Sequence, residues 1–188
     1  MVIKAGRMGK LLLALLLLFA AGFAVWFGWN AFQRAAYPRR YSAYVEQYAA
    51  QYQVDEDLIY AVIRTESGFQ PEAVSQSDAK GLMQITPDTF DWISTKLSYT
   101  QYQHDDLFEP EVAIEYGAFF LSYLLEEFQD TGTALAAYHA GRGITNQWLA
   151  DERYSSDGKT LDTIPYRDTA HYVQKVERAY EIYQRQES

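Results

Sequence analysis

Apolar residues recur every three or four positions along most of the chain after residue 40, which predicts a mainly α-helical fold. One helix is predicted to begin at Asp55, a suitable N-cap, and to end near Gly68. Another is predicted to begin after Thr86, with Pro87 in its first turn. A mostly buried helix follows from about residue 109, and an amphipathic helix closes the chain. No stretch shows the alternation of a half-buried strand.

A glutamate interrupts the apolar face of the helix that begins at Asp55. Ile59, Val62, Ile63 and Glu66 share one helical face, and the first three are typical of a core. A core rejects an unpaired charge, so Glu66 either reaches water at the helix end or is held in an apolar cleft. In a cleft, burial and the negative end of the helix dipole would both raise the pKa of Glu66. Such a carboxyl suits a general acid.

The N-terminal part of the chain has a different pattern. Residues 11–29 form a run of 19 residues without a charge, long enough to cross a bilayer as a helix. Basic residues precede the run, and Trp26 and Trp29 stand at its far end, as in an aromatic belt. We therefore predict four segments: a short basic cytoplasmic leader (1–10), a transmembrane signal anchor (11–30), a linker (31–40) and one lysozyme-sized helical domain (41–188).

A cleaved signal peptide is the alternative for this segment, but its apolar part would be shorter and the small residues at 22–24 lie inside the run. Three basic residues stand on each side of the segment, so the charge balance does not decide its orientation. A short basic leader usually stays in the cytoplasm. We therefore expect a single-pass membrane protein whose domain is extracytoplasmic.

Composition narrows the functional classes. The net charge of −9 argues against a nucleic-acid partner, which would favour a basic surface. Cysteine is absent, which excludes disulfides, thiolate metal sites and a cysteine nucleophile. The three histidines, at 104, 139 and 171, lack the spacing of a metal site. Trp92, Trp148 and Arg142 could bind a sugar or an acidic group, but core packing and a surface position are the more ordinary roles.

Three blocks of sequence occur in a characteristic order. They are ESGFQPEAVSQSDAKGLMQITP from Glu66, AAYHAGRG from Ala136, and IPYRDTAHYVQKV from Ile164. Together they resemble the lytic transglycosylases of the soluble (SLT) type, whose catalytic domain is related to goose-type lysozyme. The resemblance covers roughly residues 45–183 and implies a mainly α, lysozyme-like fold.

The resemblance also implies roles for individual residues. Glu66 matches the catalytic acid of the family, and Tyr138 matches a tyrosine whose hydroxyl is hydrogen-bonded to that acid. The remaining matched positions are expected to contact substrate or line the groove: Ser67, Ser75, Met83, Gln84 and Asp168. Four positions depart from the family pattern: His139 and Ala113 each replace an asparagine, Thr86 replaces a methionine, and Asp168 replaces a glutamate.

The implied activity is cleavage of the β-1,4 bond between N-acetylmuramic acid and N-acetylglucosamine in peptidoglycan. One carboxyl protonates the glycosidic oxygen and then deprotonates the muramyl 6-hydroxyl, which closes a 1,6-anhydro ring. No metal or cofactor is implied, and the expected partners are glycan strands and the membrane, with partners in cell-wall or secretion machinery unknown. Two alternatives stay open: a lysozyme-type hydrolase, and a wall-binding scaffold without turnover.

Overall fold

The computed structural model describes residues 5–99 and 101–187. Helix α1, Ala5–Ala36, forms a unit of its own that extends to Pro38. Within it, Met8–Ala36 is long and apolar enough to span a membrane, and no residue of its most apolar stretch is buried in protein. The helix continues through residues 31–36, which the sequence pattern assigned to a linker, while residues 1–4 of the predicted leader lie outside the described residues.

The second unit begins at Arg39 and consists of helices joined by loops. The described residues contain no strand, only two isolated bridges around Lys80, so the predicted mainly α fold is confirmed. The helices are α2 Ser42–Tyr52, α3 Glu56–Glu66, α4 Pro87–Leu97, a short 3₁₀ helix His104–Phe108, α5 Pro110–Phe128, α6 Thr131–Ala140, α7 Arg142–Leu149 and α8 Arg167–Glu187.

Helix α5 forms the centre of this unit, where it packs against α2, α4, α6 and the 3₁₀ helix. Its interior face is apolar, and Ile114, Leu121 and Leu124 are fully buried. Helix α8 packs along α3 and α6, so it closes the other side of the unit. This packing brings the end of α3 next to the start of α8, although the two segments are about 100 residues apart in sequence.

Helix α3 begins and ends as the sequence predicts. The Asp55 side chain accepts a hydrogen bond from the Asp57 amide at 2.8 Å, as an N-cap does. Ile59, Val62 and Ile63 are fully buried. After Glu66 the chain leaves the helix through Ser67, and Gly68 and Phe69 both adopt left-handed backbone angles (φ 59° and 66°). This sharp exit leaves Glu66 at the last helical position.

The GLM segment, Gly81–Met83, lies against the core rather than at the surface. Gly81 has φ 77°, and a Cβ at this position would lie 2.0 Å from the carbonyl oxygen of Leu107. Met83 is fully buried, and its sulfur lies where a Cβ on Gly117 of α5 would point. The two glycines therefore let the loop backbone and the Met83 side chain approach neighbouring elements closely.

Arg39 holds the beginning of the second unit. Its guanidinium pairs with the carboxylate of Asp57 and donates a hydrogen bond to the Tyr183 carbonyl oxygen at 3.2 Å. The same group lies over the rings of Tyr60 and Tyr183, at 5.0 and 5.5 Å from their centroids. This set of contacts, which we call the Arg39 clamp, ties the first residue of the unit to α3 and α8.

Candidate active site

Glu66 lines a cavity of about 350 Å³ between the end of α3 and the first turns of α8. The residues around it are mostly polar, with two histidines and a lysine among them: Thr65, Glu66, His139, Asp168, His171, Tyr172 and Lys175. The structure thus resolves the alternative left open by the sequence in favour of a cleft.

Burial raises the pKa of the Glu66 carboxyl from 4.5 to about 7. The cause is loss of hydration, because the carboxyl is buried between the end of α3 and the start of α8. A smaller effect opposes it, since the Tyr172 hydroxyl lowers the pKa. A carboxyl with a pKa of about 7 can both give and take a proton near neutral pH.

Tyr172 is one of two buried tyrosines that lie near Glu66. Its hydroxyl is fully buried, and no group in residues 5–99 or 101–187 meets the full geometry of a hydrogen bond with it. It still lies close enough to the Glu66 carboxyl to stabilise the carboxylate. We interpret it as a donor that completes a hydrogen bond when Glu66 ionises, because such bonds are often long in the absence of substrate.

Tyr138 does not make the hydrogen bond expected from the resemblance. Its hydroxyl donates to the carbonyl oxygen of Met83 at 2.8 Å instead. Its ring packs on Phe120 of α5, with the centroids 5.1 Å apart. Tyr138 therefore supports the loop that follows Gly81. Glu66 still lies near enough to add to the burial that raises the pKa of the Tyr138 hydroxyl, and the predicted role of Tyr138 at Glu66 stays a prediction. The sequence assigned no role at Glu66 to Tyr172, because sequence alone does not show that α8 packs beside the end of α3.

Two predicted substrate-binding residues, Ser67 and Gln84, form hydrogen bonds in the loop between α3 and α4. The buried Ser67 hydroxyl lies 2.8 Å from the carbonyl oxygen of Leu82 and 3.2 Å from that of Ile63. The side-chain amide of Gln84 donates to the carbonyl oxygens of Ala73 and Gly81, both at 3.0 Å. These bonds fix the loop to the end of α3. Contact of either residue with substrate stays a prediction.

The other predicted site residues differ in exposure. Ser75 is exposed, and its hydroxyl oxygen accepts the amides of Ser77 and Ala79 at 3.1 Å, which shapes the turn before Gly81. Met83 is buried and contributes its carbonyl oxygen to Tyr138. Direct contact of these two residues with substrate also stays a prediction.

Asp168 and His139 form the far wall of the Glu66 cavity. Both also line an adjoining cavity of about 500 Å³ toward Pro165 and Tyr166, so the two cavities share a boundary. The His139 ring packs on Tyr172 at 4.6 Å, and its Nδ1 lies 3.1 Å from the Thr169 hydroxyl. Burial lowers the pKa of His139, whereas the Asp168 carboxylate opposes that shift. These two departures from the family pattern therefore lie at the cavity.

We found no arrangement suited to a metal ion. Within the part of the chain that the structure describes, no group of three or more histidine, aspartate or glutamate side chains is placed to hold one.

Exchange of the two tyrosines for phenylalanine should separate their roles. Tyr172→Phe removes the group that lowers the pKa of Glu66, so the basic limb of the activity profile should move to higher pH. Tyr138→Phe leaves the Met83 carbonyl oxygen without its donor and should cost about 1 kcal/mol of stability, with little movement of that limb. Rate–pH profiles and thermal unfolding of both variants test these two roles. A basic limb at the same pH in Tyr172→Phe and in the parent chain would contradict the role given to Tyr172.

The fold and the buried acid together define a lysozyme-like helical domain, and comparison with known proteins identifies its family. Residues 43–161 match the model of the transglycosylase SLT domain, and the chain belongs to this family. Asp168 and Tyr172 lie beyond the matched residues.

Several relatives support this assignment. The soluble lytic murein transglycosylase of Salmonella typhimurium is 32% identical over 152 residues, which cover 79% of this chain and 23% of the relative. Membrane-bound lytic murein transglycosylase C of Yersinia pestis is 32% identical over 168 residues, covering 78% of this chain and 47% of the relative. The chain thus spans less than half the length of either protein.

A solved structure supports the same family assignment. An inactive glutamate-to-glutamine mutant of the lytic transglycosylase Slt from Pseudomonas aeruginosa superposes with a TM-score of 0.72 and 33% identity. The match covers 80% of this chain and 25% of that protein. The predicted resemblance to lytic transglycosylases of the SLT type is therefore confirmed.

Proposed function

We propose that this protein is a membrane-anchored lytic transglycosylase that cleaves the β-1,4 bond between N-acetylmuramic acid and N-acetylglucosamine in peptidoglycan. Glu66 is the single acid and base of the reaction. The observation that carries the proposal is the pKa of Glu66, raised by burial to about 7 in a cavity at the junction of α3 and α8. The family and its murein-cleaving relatives support the same substrate.

The reaction begins with a proton transfer from Glu66 to the glycosidic oxygen. The bond between this oxygen and C1 of the muramyl unit breaks, and the oxygen leaves as the 4-hydroxyl of N-acetylglucosamine. The carbonyl oxygen of the muramyl acetamido group bonds to C1 and takes the place of a second enzyme carboxylate. Burial favours the protonated state of Glu66 that this first step requires.

The second step regenerates the acid. The Glu66 carboxylate takes the proton of the muramyl 6-hydroxyl, whose oxygen attacks C1 and displaces the acetamido oxygen. The product carries a 1,6-anhydro ring, no water is consumed, and Glu66 is protonated again. The Tyr172 hydroxyl stabilises the carboxylate between the two steps, because it lowers the pKa of Glu66.

A lysozyme-type hydrolase is the second candidate, and one observation favours it. Asp168 brings a second carboxylate to the same cavity as Glu66. In an inverting glycosidase such a group activates a water molecule on the opposite face of the sugar. Asp168 is exposed, so it is accessible to water. The two candidates differ in the group that attacks C1 of the muramyl unit, which is its own 6-hydroxyl in the transglycosylase and a water molecule in the hydrolase.

The N-terminal helix supports the membrane part of the proposal. Met8–Ala36 is long and apolar enough to span the bilayer once. The relatives that are named membrane-bound lytic murein transglycosylases agree with a membrane location. We propose that the domain after Arg39 is extracytoplasmic, because its substrate is the cell wall.

The products of wall digestion test the proposed chemistry. We expect the full-length chain, purified in detergent, to release muropeptides with anhydromuramic ends, one water lighter than the products of hydrolysis. Mass spectrometry of digests of isolated peptidoglycan measures this. Reducing ends would instead identify a hydrolase. Asp168→Asn would then test whether Asp168 activates the attacking water. Binding to the wall without release would support the scaffold alternative.

A further inference from the structure

His139, near the end of α6, lines both the Glu66 cavity and the adjoining cavity toward Pro165. The proposed reaction gives this residue no role, although it stands where the family pattern has an asparagine. An asparagine side chain does not titrate, whereas a histidine changes its charge near neutral pH. The exchange therefore brings a titratable ring to the wall of the cavity that holds the proposed catalytic acid.

The His139 ring packs against a tyrosine that lies beside Glu66. The ring centroids of His139 and Tyr172 are 4.6 Å apart, and the two planes are inclined by 31°. The buried Tyr172 hydroxyl meets the full geometry of a hydrogen bond with no group in residues 5–99 or 101–187. Packing of the tyrosine ring therefore determines how close this hydroxyl lies to the Glu66 carboxyl. Through Tyr172, the His139 ring acts on the acid without touching it.

His139 can gain a proton in the folded chain. The residue is exposed, so its ring can exchange protons with the solvent. Partial burial lowers the pKa of His139 from its ordinary value of 6.5, and the Asp168 carboxylate opposes this shift. The Thr169 hydroxyl, 3.1 Å from Nδ1, can donate to a neutral ring or accept from a protonated one. The ring is therefore mainly neutral at pH 7 and becomes an imidazolium at a pH below 6.5.

The charged and titratable groups around this ring come from the end of α3 and from the start of α8. They are Glu66, Tyr166, Arg167, Asp168, His171, Tyr172 and Lys175. Arg167 and Lys175 are cations, and Asp168 supplies one negative charge. Glu66 supplies none while it is protonated. On α7, the guanidinium of Arg142 is already paired with a carboxylate of α5. A proton on the histidine ring would therefore add to an excess of positive charge.

This added charge would oppose the reaction in two ways. Cleavage of a glycosidic bond passes through an oxocarbenium-like transition state with positive charge at C1, and a like charge in the cavity raises its energy. The same charge favours the carboxylate form of Glu66, which has no proton to give. We propose that His139 is a positioning residue that holds Tyr172 beside Glu66 while its ring is neutral, and that protonation of the ring suppresses turnover. This inference rests on the proposed function, which makes Glu66 the acid.

The pH profile of the rate tests the effect of the charge. The full-length chain in detergent digests isolated peptidoglycan at saturating substrate, and tryptophan fluorescence at each pH verifies that it stays folded. Besides the basic limb near pH 7 that belongs to Glu66, we expect an acid limb below pH 6.5 with a slope of about tenfold per pH unit. His139→Asn should abolish the acid limb. The matched control, His171→Asn, exchanges the other histidine of the cavity and should keep the acid limb.

Two further exchanges test the positioning by the ring. His139→Phe keeps an aromatic ring against Tyr172 but cannot gain a proton, so it should keep the rate of the parent at pH 7 and lack the acid limb. His139→Ala removes the ring as well, so the Tyr172 hydroxyl is no longer held beside Glu66. The basic limb of His139→Ala should therefore move to higher pH, as in Tyr172→Phe. A loss of stability alone would move neither limb.

Several outcomes would overturn the inference. They are a parent chain without an acid limb, an acid limb that persists in His139→Asn, and an acid limb that disappears in His171→Asn instead. An unmoved basic limb in His139→Ala would overturn the positioning role.

The ends of the products separate this inference from the proposed function. Anhydromuramic ends with an acid limb that His139→Asn leaves in place would refute the role of His139 alone. Reducing ends with an acid limb that depends on His139 would refute the transglycosylase alone, because hydrolysis passes through the same positive charge at C1. Binding to the wall without release would overturn both.

Discussion

Glu66→Gln should reduce the release of muropeptides by a factor of about 10² to 10⁴, the usual contribution of a general acid. The amide is nearly isosteric with the carboxyl, so the fold should be retained, but it has no proton to give and cannot accept one from the 6-hydroxyl. Release of soluble muropeptides from isolated peptidoglycan measures the change. Glu72→Gln is the matched control, because Glu72 is an exposed carboxyl six residues further along the chain.

The same variant should change how stability depends on pH. The pKa of Glu66 is about 7 in the folded chain and near its ordinary value of 4.5 in the unfolded chain. Stability from the protonated form is therefore fully present below pH 4.5 and is lost as the pH rises through 7. Above pH 7 Glu66→Gln should be more stable than the parent by up to roughly 3 kcal/mol. Thermal unfolding at pH 5 and pH 8 checks this, and equal differences at both values would contradict the burial of Glu66.

Gly81→Ala should have the largest effect on stability, at about 3–5 kcal/mol. The new Cβ would lie 2.0 Å from the Leu107 carbonyl oxygen, and the backbone at φ 77° is unfavourable for alanine. The clashing Leu107 oxygen is a backbone atom, so a change of side-chain rotamer cannot relieve the clash and the loop backbone has to move. The hydrogen bonds from Gln84 to the Gly81 carbonyl oxygen and from the Gly81 amide to Ala73 would then be disturbed.

Urea unfolding followed by tryptophan fluorescence measures this loss. Gly143→Ala is the control, because no atom lies within 4 Å of a Cβ at that position of α7 and alanine favours a helix. It should be neutral or slightly stabilising. A Gly81→Ala chain as stable as the Gly143→Ala chain would show that the 3₁₀ helix can withdraw from the loop at little cost.

The helices could be predicted from the sequence because their signals are local. Asp55 and Thr86 cap their helices with side-chain hydrogen bonds to nearby amides, and each signal lies within four residues of its effect. The C-terminal end of α1 was harder to predict from the sequence. Its apolar run ends at residue 29, but nothing in residues 30–36 breaks a helix, and the structure continues it to Ala36.

The site was predicted only in part, because its geometry depends on contacts between distant segments. The periodicity of α3 showed that Glu66 lies on an apolar face, and the cavity confirms that position. Which tyrosine faces the acid depends on how α8 crosses α3, and no local pattern contains that crossing. The resemblance therefore selected Tyr138, and the structure adds Tyr172 beside the acid. Likewise, the side chains of Ser67 and Gln84 turn toward backbone carbonyls that the sequence does not locate.

The Arg39 clamp determines how a pull on the chain reaches the domain. Tension from the N-terminal side would load the ion pair to Asp57 and the two tyrosine rings before it could unwind α2. Each residue peeled from the domain would lengthen the connection by up to about 3.3–3.6 Å. By resisting that peeling, the clamp keeps the tether to the few residues between Ala36 and Arg39. Under the proposed anchoring in the membrane, the domain would work only on the part of the wall that lies within this fixed reach.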